Sequence, residues 1–246
     1  MEYDFIKDRW FLKFETYDNF EKSYKEYQNI KPFKANENIF ENGGDISEGA
    51  HYCMRLATQY YLTKAFEAMR FDLNDPNIME DFDTGNIGTP GRIAKIWVGA
   101  DLKEDSELGH GRWVKPPRLA SFPNTNNDSF VIEKTIEITS SCSHHFVPFS
   151  TLYTSKSYCV VKYIPKDTVI GISKLSRYIN DFVAKRFYLQ EDLTRNIGEF
   201  LQKITKSDNV YVKLYQLQHG CEKFRGARDP EGSMTTEFKT GKFLDE

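Results

Sequence analysis

The chain has 246 residues, with hydrophobic residues at 39%, charged residues at 28% and aromatics at 15%. That composition excludes a disordered or low-complexity protein, and the length is enough to bury a real core. Lys and Arg number 33 against 36 Asp and Glu, and a net charge of −3 argues against a chain built mainly to bind nucleic acid.

In chain order, residues 1–46 are rich in aromatics, Lys, Asn and Glu, with no clean period, and read as a partly ordered N-terminal extension. Residues 47–70 predict a helix: Ser47 can cap it, and Met54, Ala57, Tyr61 and Ala65 recur at helical spacing. Thr89 as cap and Pro90 at the first helical position predict a short helix through Lys95. Residues 99–129 carry Gly, Pro, Asn and Asp and read as a long loop.

From Phe130 the period becomes two. Phe130, Ile132, Ile136 and Ile138 alternate with Val131, Glu133, Thr135 and Glu137, the pattern of a half-buried strand. A second strand runs from Tyr158 to Ile164 and stops at Pro165. Two helices follow: one puts Leu175, Ile179 and Phe182 on a face, the other carries a stripe of Leu193, Ile197, Phe200, Leu201 and Ile204. A third strand sets Val210, Val212 and Leu214 against Tyr211, Lys213, Tyr215, Leu217 and His219, and the tail from Phe224 to Phe238 adds a last short strand. This order implies an α+β fold with an antiparallel sheet. No apolar run approaches the ~20 residues that span a bilayer. Met1-Glu2-Tyr3-Asp4-Phe5 lacks the pattern of a secretory signal, so a cytoplasmic, reducing location is expected.

The four cysteines, Cys53, Cys142, Cys159 and Cys221, are scattered and do not form a disulfide framework. Cys53 lies in a helical stretch and Cys159 inside an apolar strand, so both read as packing residues. Cys142 and His145, three apart, can reach one metal ion from a tight turn, or they are an ordinary turn pair. Cys221 is the third candidate ligand, or a small core residue; on an extended strand it projects from the same face as His219. Three protein ligands with one open position is the catalytic arrangement for zinc, which activates water at pH ~7. His144 and His219 would then stand beside the metal as proton donors and acceptors.

Anion binding has its own candidates. Lys174 and Arg177 follow Ser173, which can cap their helix. Arg225 lies just after Cys221, and Arg92 and Lys95 form a third basic pair. A solvated helix face is the commoner fate of any one such pair alone. Gln190-Glu191-Asp192 opens the second long helix. A carboxylate there can accept two hydrogen bonds from a guanine edge, or can simply favour the helix N-terminus.

These segments, in this order, resemble the GTP cyclohydrolase I family. Thr89-Pro90-Gly91-Arg92-Ile93-Ala94-Lys95 is similar to its Thr-Pro-x-Arg-[Ile/Val]-Ala-Lys, and Cys142-Ser143-His144-His145 to its Cys-Glu-His-His. Tyr163-Ile164-Pro165-Lys166, Ile170 to Arg177, Gln190-Glu191-Asp192-Leu193-Thr194, and His219-Gly220-Cys221 with Arg225-Gly226 match four more of its motifs. The resemblance runs from about residue 69 to 243 and divides the chain into an extension, 1–46, and a family-like domain, 47–246. That domain comprises a helical part (47–98), a loop (99–129) and a catalytic part (130–246).

The resemblance implies an enzyme that converts GTP and water to 7,8-dihydroneopterin triphosphate and formate, opening pterin, folate or 7-deazaguanine synthesis. It implies Zn2+ on Cys142, His145 and Cys221, and His219 giving a proton to the base. His144 and Ser173 would assist the rearrangement of the opened ribose. Glu191, helped by Gln190, would hold guanine. Lys174, Arg177 and Arg225 would hold the triphosphate, with Arg92 and Lys95 from a neighbouring subunit. The implied fold is the tunnelling fold, an antiparallel sheet with two helices on one face. Its sheets close into an oligomeric barrel, here a decamer of two stacked pentamers, with no nucleic acid and no membrane partner. The chain departs from the pattern at Ser143, where the family has Glu, in the stretch 99–129, and at its C-terminal end, where a terminal helix is expected to be lacking. Two alternatives are a catalytically impaired GTP- or pterin-binding paralogue with a regulatory role, and another tunnelling-fold enzyme of 7-deazaguanine metabolism. The Cys-x-His-His and His-x-Cys pair argues against the second.

Overall fold

The computed structural model describes residues 1–102, 108–125, 130–225, 228–229 and 231–246. The rest of the loop expected over 99–129, and Gly226 of the expected Arg-Gly pair, lie outside the described residues. The chain divides into two compact units, Met1–Val114 and Lys115–Glu246.

The first unit is helical: α1 (Glu2–Lys7), α2 (Tyr17–Asn29), α3 (Glu48–Ala68) and α4 (Gly88–Val98). Thr16 caps α2 by accepting the Asn19 N–H at 3.2 Å, and Ser47 caps α3 by accepting that of Ala50 at 3.1 Å. The division expected after residue 46 falls inside this unit. Ile6 and Phe20 share a core with Tyr52, Cys53, Leu56 and Ala57 of α3, so residues before and after that point pack as one body. Full burial of Phe20 alone contributes about 2–3 kcal/mol. Cys53 is a packing residue as expected: burial pushes its thiol up to about 12, which leaves it inert. Thr89 does not cap α4. The helix begins at Gly88, and the Thr89 hydroxyl donates instead to Asn77 O at 3.1 Å.

The second unit is α+β with a mainly antiparallel sheet, as expected. β1 (Ser121–Pro123) pairs with β6 (Thr168–Ile170). The larger sheet contains β2 (Ile132–Ile136), β3 (Thr139–Cys142), β4 (Pro148–Ser150), β5 (Tyr158–Tyr163), β7 (Phe187–Tyr188), β8 (Val210–His219) and β9 (Met234–Lys239). Its order is β2-β5-β8-β4-β3-β7, with β9 also on β8; among the described residues only β3 and β7 run parallel. The helical segments of the unit include α5 (Ile172–Ser176), a π-wound turn over Arg177–Val183, α6 (Gln190–Thr205) and the short α7 (Gly220–Lys223). Ser173 does not cap α5. The helix starts two residues earlier, with Gly171 at the cap, which puts Ser173 inside its first turn.

α6 packs on β8 and β9 through Leu193, Ile197 and Leu201, all fully buried. Gly198 permits that approach, because a Cβ there would sit 2.1 Å from the Phe238 ring. Cys159 in β5 is fully buried, again a packing residue. β8 departs from simple alternation. Gln216 adopts a left-handed φ of 49°, and pairing with β9 shifts register between Leu214 and Leu217. This bulge changes which residues face the core. Val210, Val212, Leu214 and Leu217 are all 0% exposed, so Leu217 joins the buried face that the sequence alternation set it against, and His219, two residues on, is half-buried. No helix among the described residues is long and apolar enough to cross a membrane.

Candidate active site

One end of the large sheet gathers most of the chemistry-bearing residues. Ser140 pairs with Phe149, and Phe149 with His219, so three strands align there. One row further on, the Cys142 N–H donates to Val147 O at 3.0 Å and the Phe146 N–H to Cys142 O at 2.8 Å. These bonds close residues 142–147 into a tight loop, with Phe146 at a φ of 54°. Cys142 is buried at the end of β3, while His144 and His145 are exposed in the loop with ring centroids 6.2 Å apart.

The other strand of the site ends at His219, and α7 begins at Gly220. Cys221 is therefore placed by a helical turn and not by strand alternation. Gly220 lies so close to β4 that a Cβ on it would sit 2.4 Å from Val147 Cγ1 and 2.8 Å from Pro148 O. The backbone thus holds the Cys142 loop against the His219-Gly220-Cys221 segment, with Cys221 half-buried. Two thiols and an imidazole are a suitable donor set for zinc. Among the described residues no group of three His, Cys, Asp or Glu side chains already stands at metal-holding spacing. The fit therefore rests on donor type and on the converging backbone.

The start of α6 is tied to the same place. Cys142 pairs with Tyr188, and the Ser143 N–H donates to Tyr188 O at 3.1 Å, two residues before Gln190. Gln190 is buried, with its side chain within 2.8 Å of His219 Nε2; Glu191 beside it is exposed. Burial holds the His219 imidazole below its ordinary range, while the carboxylates of Glu222 and Glu191 pull it back up.

The other predicted residues stand on further elements. Ser173 and Arg177 are exposed and Lys174 half-buried, on α5 and the turn after it, and Arg225 is exposed just past α7. Arg92 and Lys95 belong to the first unit. The Arg92 guanidinium there donates to Asn86 Oδ1, Asn77 O and Thr89 Oγ1, each at 2.8 Å. A neighbour of His219 and a neighbour of Gln190 were not singled out from the sequence. Phe149 stacks on the His219 ring at 4.8 Å and 13°, and Thr236 of β9 bonds the Gln190 amide. The first contact comes from strand pairing and the second from the packing of α6 on β9, and neither leaves a local signal.

The family profile described as GTP cyclohydrolase I matches residues 77–246. The chain is 35% identical to GTP cyclohydrolase 1 of Enterobacter sp. (strain 638) over 184 residues, covering 74% of this chain and 73% of that protein. It is also 35% identical to GTP cyclohydrolase 1 of Klebsiella pneumoniae subsp. pneumoniae, over the same shares of both chains. Among solved structures, the apo archaeosine synthase QueF-like is similar at 18% identity and a TM-score of 0.34, covering 45% of this chain and 93% of that one, too weak a likeness to carry an argument. With a family profile across more than half of its length and relatives at this identity, the chain belongs to the GTP cyclohydrolase I family.

Proposed function

We propose that the chain is a zinc-dependent GTP cyclohydrolase that converts GTP and water to 7,8-dihydroneopterin triphosphate and formate. The observation that carries this reading is the convergence, at one sheet end, of the Cys142–His145 loop and the His219-Gly220-Cys221 segment, in a chain of this family. Cys142, His145 and Cys221 would hold the metal. Zinc, when bound, supplies a Lewis acid that activates water near neutral pH at C8 of guanine.

The chain's own residues do the rest. His219 gives a proton to the imidazole ring of the base as C8 is attacked, and C8 leaves as formate after a second hydrolysis. The Phe149 ring stacked on His219 keeps its imidazole plane fixed. His144 and Ser173 move protons during the ribose rearrangement that precedes closure of the pterin ring. Glu191, exposed in the first turn of α6, accepts from the two donors on the guanine edge, which adenine lacks. Lys174, Arg177 and Arg225 hold the triphosphate, and fixed guanidinium forks suit its oxygens. Arg92 and Lys95 contribute from a neighbouring copy in a closed assembly of two stacked pentamers. Its sheet edges are covered by other subunits. The enzyme would work in the cytoplasm, at the head of pterin, folate or 7-deazaguanine synthesis.

The test is direct. The purified protein is incubated with GTP, and formate and a pterin that fluoresces after oxidation are measured. Both are expected. Oligomeric, zinc-loaded protein that binds GTP and forms neither would overturn the enzyme reading and leave a nucleotide-binding protein.

A further inference from the structure

Gln190 has its side chain turned inward. It is 1% exposed, and every polar atom of its side chain is engaged within the chain. Its Nε2 donates to Met234 O and to Thr236 Oγ1, both at 3.0 Å. A main-chain carbonyl only accepts, so the amide nitrogen must face Met234. The hydroxyls agree with that orientation. Thr194 donates to Gln190 O at 2.9 Å, which uses its only proton, so Thr236 donates to Thr194 Oγ1 across 2.6 Å. That leaves a lone pair of Thr236 for the Gln190 amide.

With Nε2 so occupied, Gln190 Oε1 faces His219 Nε2 at 2.8 Å. A carbonyl oxygen accepts only, so His219 Nε2 must carry the hydrogen. The bulge at Gln216 is what brings the imidazole to this side of the sheet. We infer that Gln190 is a positioning residue for His219. Its amide, clamped by Met234 and Thr236, fixes the Nε2–H tautomer and leaves Nδ1 as the nitrogen that exchanges a proton with substrate. The catalytic consequence rests on the proposed role of His219, but the tautomer does not.

The experiment uses the zinc-loaded full chain, labelled with 15N-histidine, with the resonances of its five histidines assigned. In the wild type, His219 should show a protonated Nε2 and a bare Nδ1 when neutral. Gln190→Met should give a mixture of tautomers. Its kcat should fall about 10- to 100-fold, the usual cost of losing an orienting partner, at unchanged KM for GTP. Thr236→Val, a milder change should Gln190→Met not fold, should move both readouts the same way, and Thr236→Ser should restore them. A hydrogen on Nδ1 in the wild type, or an unchanged tautomer in Gln190→Met, would overturn the inference. So would a raised KM at unchanged kcat, since Gln190 would then be holding guanine. If His219→Ala kept full turnover, the role of His219 would fail while the clamp stood, so the two failures are distinguishable.

Discussion

Gly220→Ala is expected to spoil the site while sparing the sheet. The added Cβ would meet Val147 Cγ1 at 2.4 Å and Pro148 O at 2.8 Å, and the second of these is main chain that cannot swing aside. Overpacking of this kind costs about 1–3 kcal/mol. The strain has an easy outlet. β4 and β8 pair at only two positions, Phe149 with His219 and Ser150 with Gln218, whereas β5 holds β8 from Tyr158 to Tyr163. The end of β8 should therefore lift from β4 and carry Cys221 away from Cys142. At about 2–4 °C per kcal/mol, thermal denaturation should show a loss of about 4–8 °C for a central 2 kcal/mol. A displacement of about 1 Å at reacting groups costs about 100-fold, so kcat/KM should fall by that order, and zinc content should fall with it. Wild-type zinc content and turnover in a folded Gly220→Ala variant would refute the claim that this close approach assembles the site.

Three more outcomes are expected. Cys221→Ala should lose both metal and turnover; metal at the wild-type level, measured by elemental analysis, would show that Cys221 is not a ligand. Glu191→Ala should lower kcat/KM for GTP by about 100-fold with little change in melting temperature, since the exposed carboxylate supports no core contact. His51 makes folding pH-dependent. Its Nε2–H donates to Val98 O at 2.7 Å, and burial pushes its pKa from 6.5 down to about 4. The unfolded chain takes up the proton first as pH falls. The stability linked to neutral His51 is therefore complete above pH 6.5 and is lost progressively as pH falls to about 4. The loss reaches about 3 kcal/mol, from the 2.5-unit gap at 1.36 kcal/mol per unit. Urea denaturation of wild type and His51→Gln across that window reads it; equal slopes with pH would show that another group is responsible.

The long elements were legible because their periods are strong. β5, β8, α3 and α6 follow from alternation or from apolar stripes, and each stands where the sequence predicts it. α2 was missed although Tyr17, Phe20, Tyr24 and Tyr27 fall at helical spacing behind the Thr16 cap; the many other aromatics around them masked the stripe. β4 and β6, three residues each, are too short to show a period. The bulge at Gln216 was unreadable for another reason: left-handed backbone at Gln has no composition signal, yet it decides which face His219 takes. Site residues were found by type and motif, but their partners were not. Gln190 meets His219, Met234 and Thr236 only after β8 and β9 pair and α6 packs on both. Those contacts are a fact of tertiary structure and leave no local signal in the sequence.

Zinc titration of chelator-stripped protein in the presence of GTP tests the central claim most directly. Formate and dihydroneopterin triphosphate should be absent without metal. They should rise together in equal amounts as zinc is added, and level off at about one zinc per chain. Full turnover in the metal-free protein, or saturation with zinc and no formate, would contradict it.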